Sequence, residues 1–281
     1  MRISLVVGAC LVAGFLISPS STWSSKDSPL KSEELVARHI ASLGTPEARA
    51  AIKNRLIEGS AEVNFRAFSY GQLHGVGSFA STDTMTRLSL RFGHIDYPGE
   101  DFVWDGKRVY LATQHPGQWS DLGRFLRDYD FILKDGLLGG TMNLSWCLLG
   151  WSDQRAKLQY EGLKKVEGRQ LHQLRYISKK GPRDVTVFLY FEPETFRHVM
   201  SQYSIVMSPF AVSAAGQQDI RRRFQEEFGN FKEADGITLP QSYKLVMTYE
   251  GGRQTSLTDW TFETIRVLHN QELDPATFAV R

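Results

Sequence analysis

The sequence predicts a mostly β protein with helices, an α+β chain built on antiparallel hairpins. Three observations predict it. Beyond Leu56, apolar and polar residues alternate with period two over most of the chain, as in strands with one buried face. Turn pairs Asp105-Gly106, Glu167-Gly168, Asp235-Gly236 and Gly251-Gly252 punctuate those runs, because glycine takes a positive φ without a Cβ clash. Helical spacing is confined to a segment near the N-terminus and another in the middle.

A chain of 281 residues is long enough for one large β domain or two small ones. The net charge of +2 leaves no concentrated basic footprint, so nucleic acid is not an expected partner. The one tight basic cluster, Arg221 to Arg223, is followed by Glu226 and Glu227 and reads as a solvated face.

Met1 and Arg2, the apolar run Ile3–Ile17 and the small residues Ser18–Ser25 form the pattern of a secretory signal peptide over residues 1–25. The run is short for a membrane span, although an uncleaved anchor is the alternative. A periplasmic or secreted location follows. Residues 26–281 are then expected to form one domain. After cleavage Cys147 is the remaining cysteine, so no intramolecular disulfide is available, and burial should keep its thiol inert.

Taken in order, Ser32 reads as a helix N-cap with Glu33 and Glu34 in the first turn. Leu35, Val36, His39, Ile40 and Leu43 give one apolar face, Gly44 a stop, and Thr45-Pro46 a restart. Leu88, Leu90 and Phe92 alternate with Arg87, Ser89 and Arg91 in a half-buried strand. Residues 114–151 break the strand pattern. Leu122, Phe125, Leu126, Tyr129, Ile132 and Leu133 share a helix face. A glycine-hinged apolar run follows, with Leu138, Met142, Leu144, Trp146 and Trp151. That run is either ordinary core or a mobile lid. Val185 to Phe191 is apolar on both faces, as in a central strand. From Phe228 to Tyr249 an aromatic strand meets Asp235-Gly236. The chain returns through Ile237, Leu239, Tyr243, Leu245 and Met247, with Pro240 near the start or edge of that strand.

The block from Phe228 to Tyr249, with its Asp-Gly-Ile-Thr-Leu-Pro turn, resembles the C-terminal hairpin of the LolA-like superfamily of bacterial lipoprotein carriers. The Asp105-Gly106-Lys107 turn before Val109 and Tyr110, and the Pro193-Glu194-Thr195 turn, resemble the same family in the same order. The resemblance spans roughly residues 32–267 and resolves Ile220–Phe228, whose spacing fits period two or four, as strand. It implies a strongly curved antiparallel sheet forming an incomplete β-barrel, covered by N-terminal and central helices. The helical insertion at about 114–151 would act as lid. Leu88, Leu90, Phe92, Phe125, Tyr129, Leu138, Met142, Leu144, Trp146, Trp151 and Phe191 would line the cavity or lid. An early-strand arginine, Arg91 or else Arg87, would latch the lid by bonding helix backbone. Dedicated carriers are shorter, and the 114–151 region is the expanded part here.

No metal, phosphate or nucleophile motif is present. His94 with Asp96 lacks a third ligand. Glu192, Glu194 and His198 flank a turn and read as exposed. His39 reads as a packing residue. No cofactor and no catalytic residue is expected. The expected role is non-enzymatic binding of a lipid or acylated lipoprotein by a monomer that can touch a membrane peripherally. The alternative is an envelope sensor that binds a protein partner. Each methylene buried would contribute about 0.8 kcal/mol, so binding needs only apolar walls and a lid.

Overall fold

The computed structural model describes residues 30–66, 71–151, 156–207, 220–251 and 254–279. The expected signal peptide lies outside the described residues, as does Gly252 of the last expected turn. Two helices come first, α1 (Ser32–Ser42) and α2 (Pro46–Ala51). Thr45 caps α2 by accepting from the Ala48 N–H, and Pro46 sits where a missing N–H costs nothing. Ser32 is not the cap of α1. It lies inside the helix, and its hydroxyl accepts from the Tyr160 N–H at 2.9 Å, tying the helix to a later strand.

Five strands precede the middle segment: β1 (Asn54–Phe65), β2 (Gln72–Thr82), β3 (Thr86–Phe92), β4 (Gly99–Trp104) and β5 (Val109–Leu111). After it come β6 (Ala156–Val166), β7 (Arg169–Ser178), β8 (Val185–Phe191), β9 (His198–Met207) and β10 (Ile220–Gly229). Next are β11 (Lys232–Ala234), β12 (Ile237–Leu239), β13 (Ser242–Gly251) and β14 (Gln254–His269). Twelve of these form one sheet in the order β5-β4-β3-β2-β1-β14-β13-β10-β9-β8-β7-β6. The long return of β14 onto β1 joins the two wings, and β5 and β6 are left as unpaired edges, so the barrel is incomplete as expected.

Flat, twelve strands at about 4.8 Å spacing would span roughly 50 Å. Yet Leu88 and Phe102 of one wing share a single buried cluster with Leu174 and Leu189 of the other. The sheet must therefore curl round that cluster. A bulge at Glu58/Gly59, where β1 pairs with β14, assists the bend.

Two expectations need correction. The return after Asp235-Gly236 is not one long strand. Asp235 (φ 51°) and Gly236 (φ 76°) turn a small separate hairpin, β11–β12. Pro240 then interrupts, and the Gln241 N–H bonds to the Gly229 carbonyl at 3.0 Å, closing the neck between β10 and β13. The helix expected from Leu122 to Leu133 breaks at Tyr129 into α3 (Asp121–Asp128) and α4 (Phe131–Lys134). The break sends the Tyr129 hydroxyl to Asp184 Oδ2 at 2.9 Å. Beyond α4 the middle segment holds one 3-10 turn, Gly140–Met142, and otherwise irregular backbone. At the C-terminal end, Phe278 packs on Ala80 and Val103 on the outer face of the sheet.

Candidate functional site

The hollow of the curled sheet is filled by the middle segment. Leu88, Leu90 and Phe92 of β3 point inward, as their alternation requires, and Phe191 of β8 faces them from the other wing. Phe125 and Tyr129 enter on α3 and the turn after it, and Leu138, Met142 and Trp146 on the irregular run. All nine belong to one buried cluster. Leu88, Phe125, Leu138, Met142 and Phe191 are each 0% exposed. A void able to hold water would leave part of their surface accessible, so these side chains touch one another and not a cavity. The residues expected to line an open hollow are brought together, but as a packed interior. Trp151 is half-buried against the same cluster. Leu144 leaves it, packing instead with Ile52, Ile237 and Leu239 at one end of the barrel.

The segment is tied to the sheet by a few polar contacts. Arg55 on β1 is 3% exposed, and its Nη1 donates to the carbonyls of Thr141 at 2.9 Å and Met142 at 3.0 Å. Its Nε donates to His269 Nε2, whose ring in turn meets Asp235. Burial lowers the Arg55 pKa to about 10. Thr86 Oγ1 donates to Asn143 Oδ1 at 3.0 Å, and the Leu144 N–H to Ser81 Oγ at 3.2 Å.

On the opposite wing, buried Glu226 of β10 takes three donors. The Gly139 N–H and Tyr243 hydroxyl reach Oε1 at 2.8 and 2.6 Å, and the Tyr203 hydroxyl reaches Oε2 at 2.7 Å. Desolvation outweighs these donors and raises the Glu226 pKa to about 7. Gly139 adopts φ +80°, and a Cβ there would lie 2.4 Å from the Phe79 ring, so only glycine lets the backbone reach Glu226. Trp146 Nε1 donates to His39 Nε2 at 3.0 Å, and His39 Nδ1 bonds the Phe196 carbonyl at 3.0 Å. Both nitrogens of the ring are thus satisfied, and burial lowers the His39 pKa to about 4.

Arg91 is not the latch. It alternates away from Leu90 and Phe92, is exposed on the outer face of β3, and Arg55 makes the backbone bonds expected of it. Arg87 also faces outward, clasping Asp101 and the Thr277 carbonyl. The signal for Arg55 lies in its phase: it alternates in step with Ile57, Ala61 and Val63, all buried. Glu226 likewise alternates in step with buried Phe224 and Phe228, and the reading of the Arg221–Glu227 run as a solvated face is corrected at that position.

A cleft of about 330 Å³ opens beside Arg55, between α2 and the start of β1 on one side and Thr141, Leu144 and Leu149 on the other. Its volume is at the lower end for small-molecule sites. A second large buried carboxyl system lies elsewhere in the barrel. Tyr97 donates to Glu100 Oε1 and accepts from Trp260 Nε1, both at 2.6 Å, and desolvation raises the Glu100 pKa to about 7.

The polar groups singled out in the sequence do not come together among the described residues. His198 is fully buried, with Nε2 on Ser201 Oγ, while Glu192 bonds Thr195 at the surface turn and Glu194 is exposed. His94 Nδ1 accepts from the Asp96 N–H within one loop. Among the described residues no group of three or more metal-binding side chains is present. Cys147 is free and buried, and desolvation pushes its thiol well above the ordinary range, away from thiolate chemistry.

No family model matches the chain, and no curated protein does. Among solved structures it is similar to a LolA superfamily protein from Nitrosomonas europaea, at 9% identity over 89% of this chain and 98% of that one, with a TM-score of 0.44. It is also similar to a putative outer membrane lipoprotein-sorting protein domain from Vibrio parahaemolyticus, at 11% identity over 88% and 96%, TM-score 0.43. A DUF1329 family protein from Desulfovibrio piger matches at 12% identity over 90% and 98%, also with a TM-score of 0.43. The superfamily is the one that the Asp-Gly turns resemble.

Proposed function

We propose that this is an exported, non-catalytic binding protein that takes a hydrocarbon chain, from a lipid or an acylated lipoprotein, into the hollow of its sheet. The chain enters by displacing the apolar middle segment. One observation carries this reading. Beyond the short helices α3 and α4, the filling of the hollow is a separate and mostly irregular run, residues 136–151, held by discrete polar ties at Arg55, Glu226 and His39. Its contribution to the interior is Leu137, Leu138, Met142, Trp146 and Leu148. Apolar burial is non-directional, so a hydrocarbon tail can replace those side chains against Leu88, Leu90, Phe92 and Phe191 at little net cost. Arg55, Glu226 and His39 act as the catch that sets the free energy of opening.

The test is a reversible lock. The pair is Ser81→Cys with Leu144→Cys, at two positions that the Leu144 N–H and the Ser81 hydroxyl join at 3.2 Å. In the oxidised variant, uptake of a fluorescent fatty acid should be lost, and reduction should restore it. Native mass spectrometry of the wild-type protein should show co-purifying lipid. Equal uptake by locked and reduced forms would rule out entry by displacement.

A further inference from the structure

The cleft beside the latch carries a charge that the fold does not satisfy. Arg55 is almost completely buried, yet no carboxylate lies within ion-pair distance of it among the described residues. Its hydrogen bonds run from Nε and Nη1 to neutral acceptors. Nη2 makes none among the described residues, and Arg55 lines the cleft. A buried cation without a counter-charge is costly unless a partner arrives from outside. Two more cations stand in the same wall. Arg49 Nη1 is spent on the carbonyls of Ile40 and Gly44, and Lys53 Nζ on that of Ala50, neither of which neutralises charge. Against three cations the lining sets one carboxylate, exposed Asp83. Apart from Thr141, the remaining walls are apolar, chiefly Leu43, Ile52, Leu144, Leu149 and Ile237.

The geometry points to this cleft as the headgroup site for a single-chain anionic amphiphile, a carboxylate or phosphate joined to a hydrocarbon tail. The anion sits on Arg55 and Lys53, and the tail lies against the apolar wall that leads to the middle segment. This rests on the reading that the hollow accepts a hydrocarbon, and it names the ligand class and the trigger. A carboxylate or phosphate makes a stronger, charge-assisted bond to guanidinium than a neutral carbonyl does. It therefore competes with the Thr141 and Met142 carbonyls for Arg55, and the ligand's own headgroup loosens the latch that its tail must pass. An uncharged amphiphile has no such lever.

The test is calorimetric titration of the full chain with four probes: dodecanoate, dodecyl maltoside and dodecyltrimethylammonium, each below its micelle concentration, and inorganic phosphate. Dodecanoate should bind at least ~tenfold tighter than either other amphiphile. Lys53→Gln should shrink that preference and Asp83→Asn enlarge it; both side chains are exposed, so neither change threatens the fold. Equal affinity for the three amphiphiles, or insensitivity to both substitutions, would overturn the anionic headgroup site while leaving hydrocarbon uptake standing. Phosphate binding as tightly as dodecanoate would overturn the amphiphile and assign the cleft to a free anion. Failure of every amphiphile to bind would overturn the underlying reading, and this inference with it.

Discussion

Glu226 Oε1 accepts the backbone N–H of Gly139 at 2.8 Å, joining the strand that lines one wing of the barrel to the run that fills its hollow. The carboxyl is fully buried, and desolvation raises its pKa from 4.5 to about 7. Between those values the native state keeps a proton that the unfolded chain has released. The stability contributed by this group is therefore complete below pH 4.5 and lost as pH rises toward 7. The amount is on the order of 3 kcal/mol. Glu226→Gln cannot ionise and should not show that loss. Urea unfolding of both proteins at pH 5 and pH 7.5 should find the wild type ahead by more at pH 5, with the gap narrowing at pH 7.5. A gap independent of pH would mean that Glu226 titrates as an ordinary carboxyl.

Arg55 and Arg91 allow the latch to be tested against a matched control. Arg55→Met keeps similar bulk but leaves the Thr141 and Met142 carbonyls without their donor. Removal of an unpaired buried cation offsets part of that loss, so global stability is a poor readout. Local opening is the better one. Amide hydrogens of residues 138–146 should exchange about tenfold faster in the variant, with strand amides of β7 and β8 unaffected. Arg91→Ala, on the exposed outer face, should leave exchange unchanged and alter stability by no more than about 0.5 kcal/mol. Equal acceleration in both variants would remove Arg55 from the latch.

The sheet was legible because its signals are local. Asp235 and Glu167 each precede a glycine, and both pairs adopt the positive φ that a two-residue hairpin requires. The inward set Leu88, Leu90 and Phe92 follows from alternation alone. The polar anchors were legible in principle by the same rule. Arg55 keeps phase with Ile57, and Glu226 with Phe224 and Phe228, which places a charge on a buried face. At Glu226, charge type outweighs phase when the run is read as a solvated face. What alternation does not encode is the partner. The acceptors of Arg55 Nη1 and the backbone donor to Glu226 are main-chain groups of a run more than 80 residues away, and main-chain groups carry no sequence signature. The filled hollow was hidden for a related reason. An apolar irregular run has the same composition whether it roofs a cavity or occupies it.

Gly139 and Gly168 separate crowding from backbone strain. Both hold a positive φ near 80°, so alanine at either position costs about 1 kcal/mol for conformation. At Gly168 nothing lies within 4 Å of the added Cβ. At Gly139 the Cβ would meet the Phe79 ring at 2.4 Å, and Phe79 is a fully buried core residue with no room to retreat. Gly139→Ala should therefore cost a further 1–3 kcal/mol or so of overpacking. It should also speed uptake of a fluorescent fatty acid, because the strain falls on the tie to Glu226. Chemical denaturation of the two variants side by side checks the first expectation, and stopped-flow dye binding checks the second. Similar costs at both sites would mean that the segment shifts freely in the native state.

His39 and Trp146 give the opposite slope with pH. His39 holds α1 to the middle segment by accepting the Trp146 N–H, and burial lowers its pKa from 6.5 to about 4. The unfolded chain takes up a proton below pH 6.5 that native His39 refuses until about pH 4. Its contribution is thus fully present above pH 6.5 and lost as pH falls toward 4, again on the order of 3 kcal/mol. His198, also buried and pushed well below the ordinary range, acts in the same direction. From pH 4.5 to 6.5 these losses on acidification oppose the gain from Glu226 and Glu100, so the wild-type profile should be nearly flat there. His39→Gln should expose the balance. An amide can donate to the Phe196 carbonyl and accept from Trp146, yet it does not titrate. Its stability relative to wild type should therefore improve steadily as pH falls from 6.5 to 4.5 in urea unfolding. The Glu226→Gln variant should show the reverse trend against wild type over the same interval. Parallel profiles for all three proteins would place the titrating groups outside the ties that hold the middle segment.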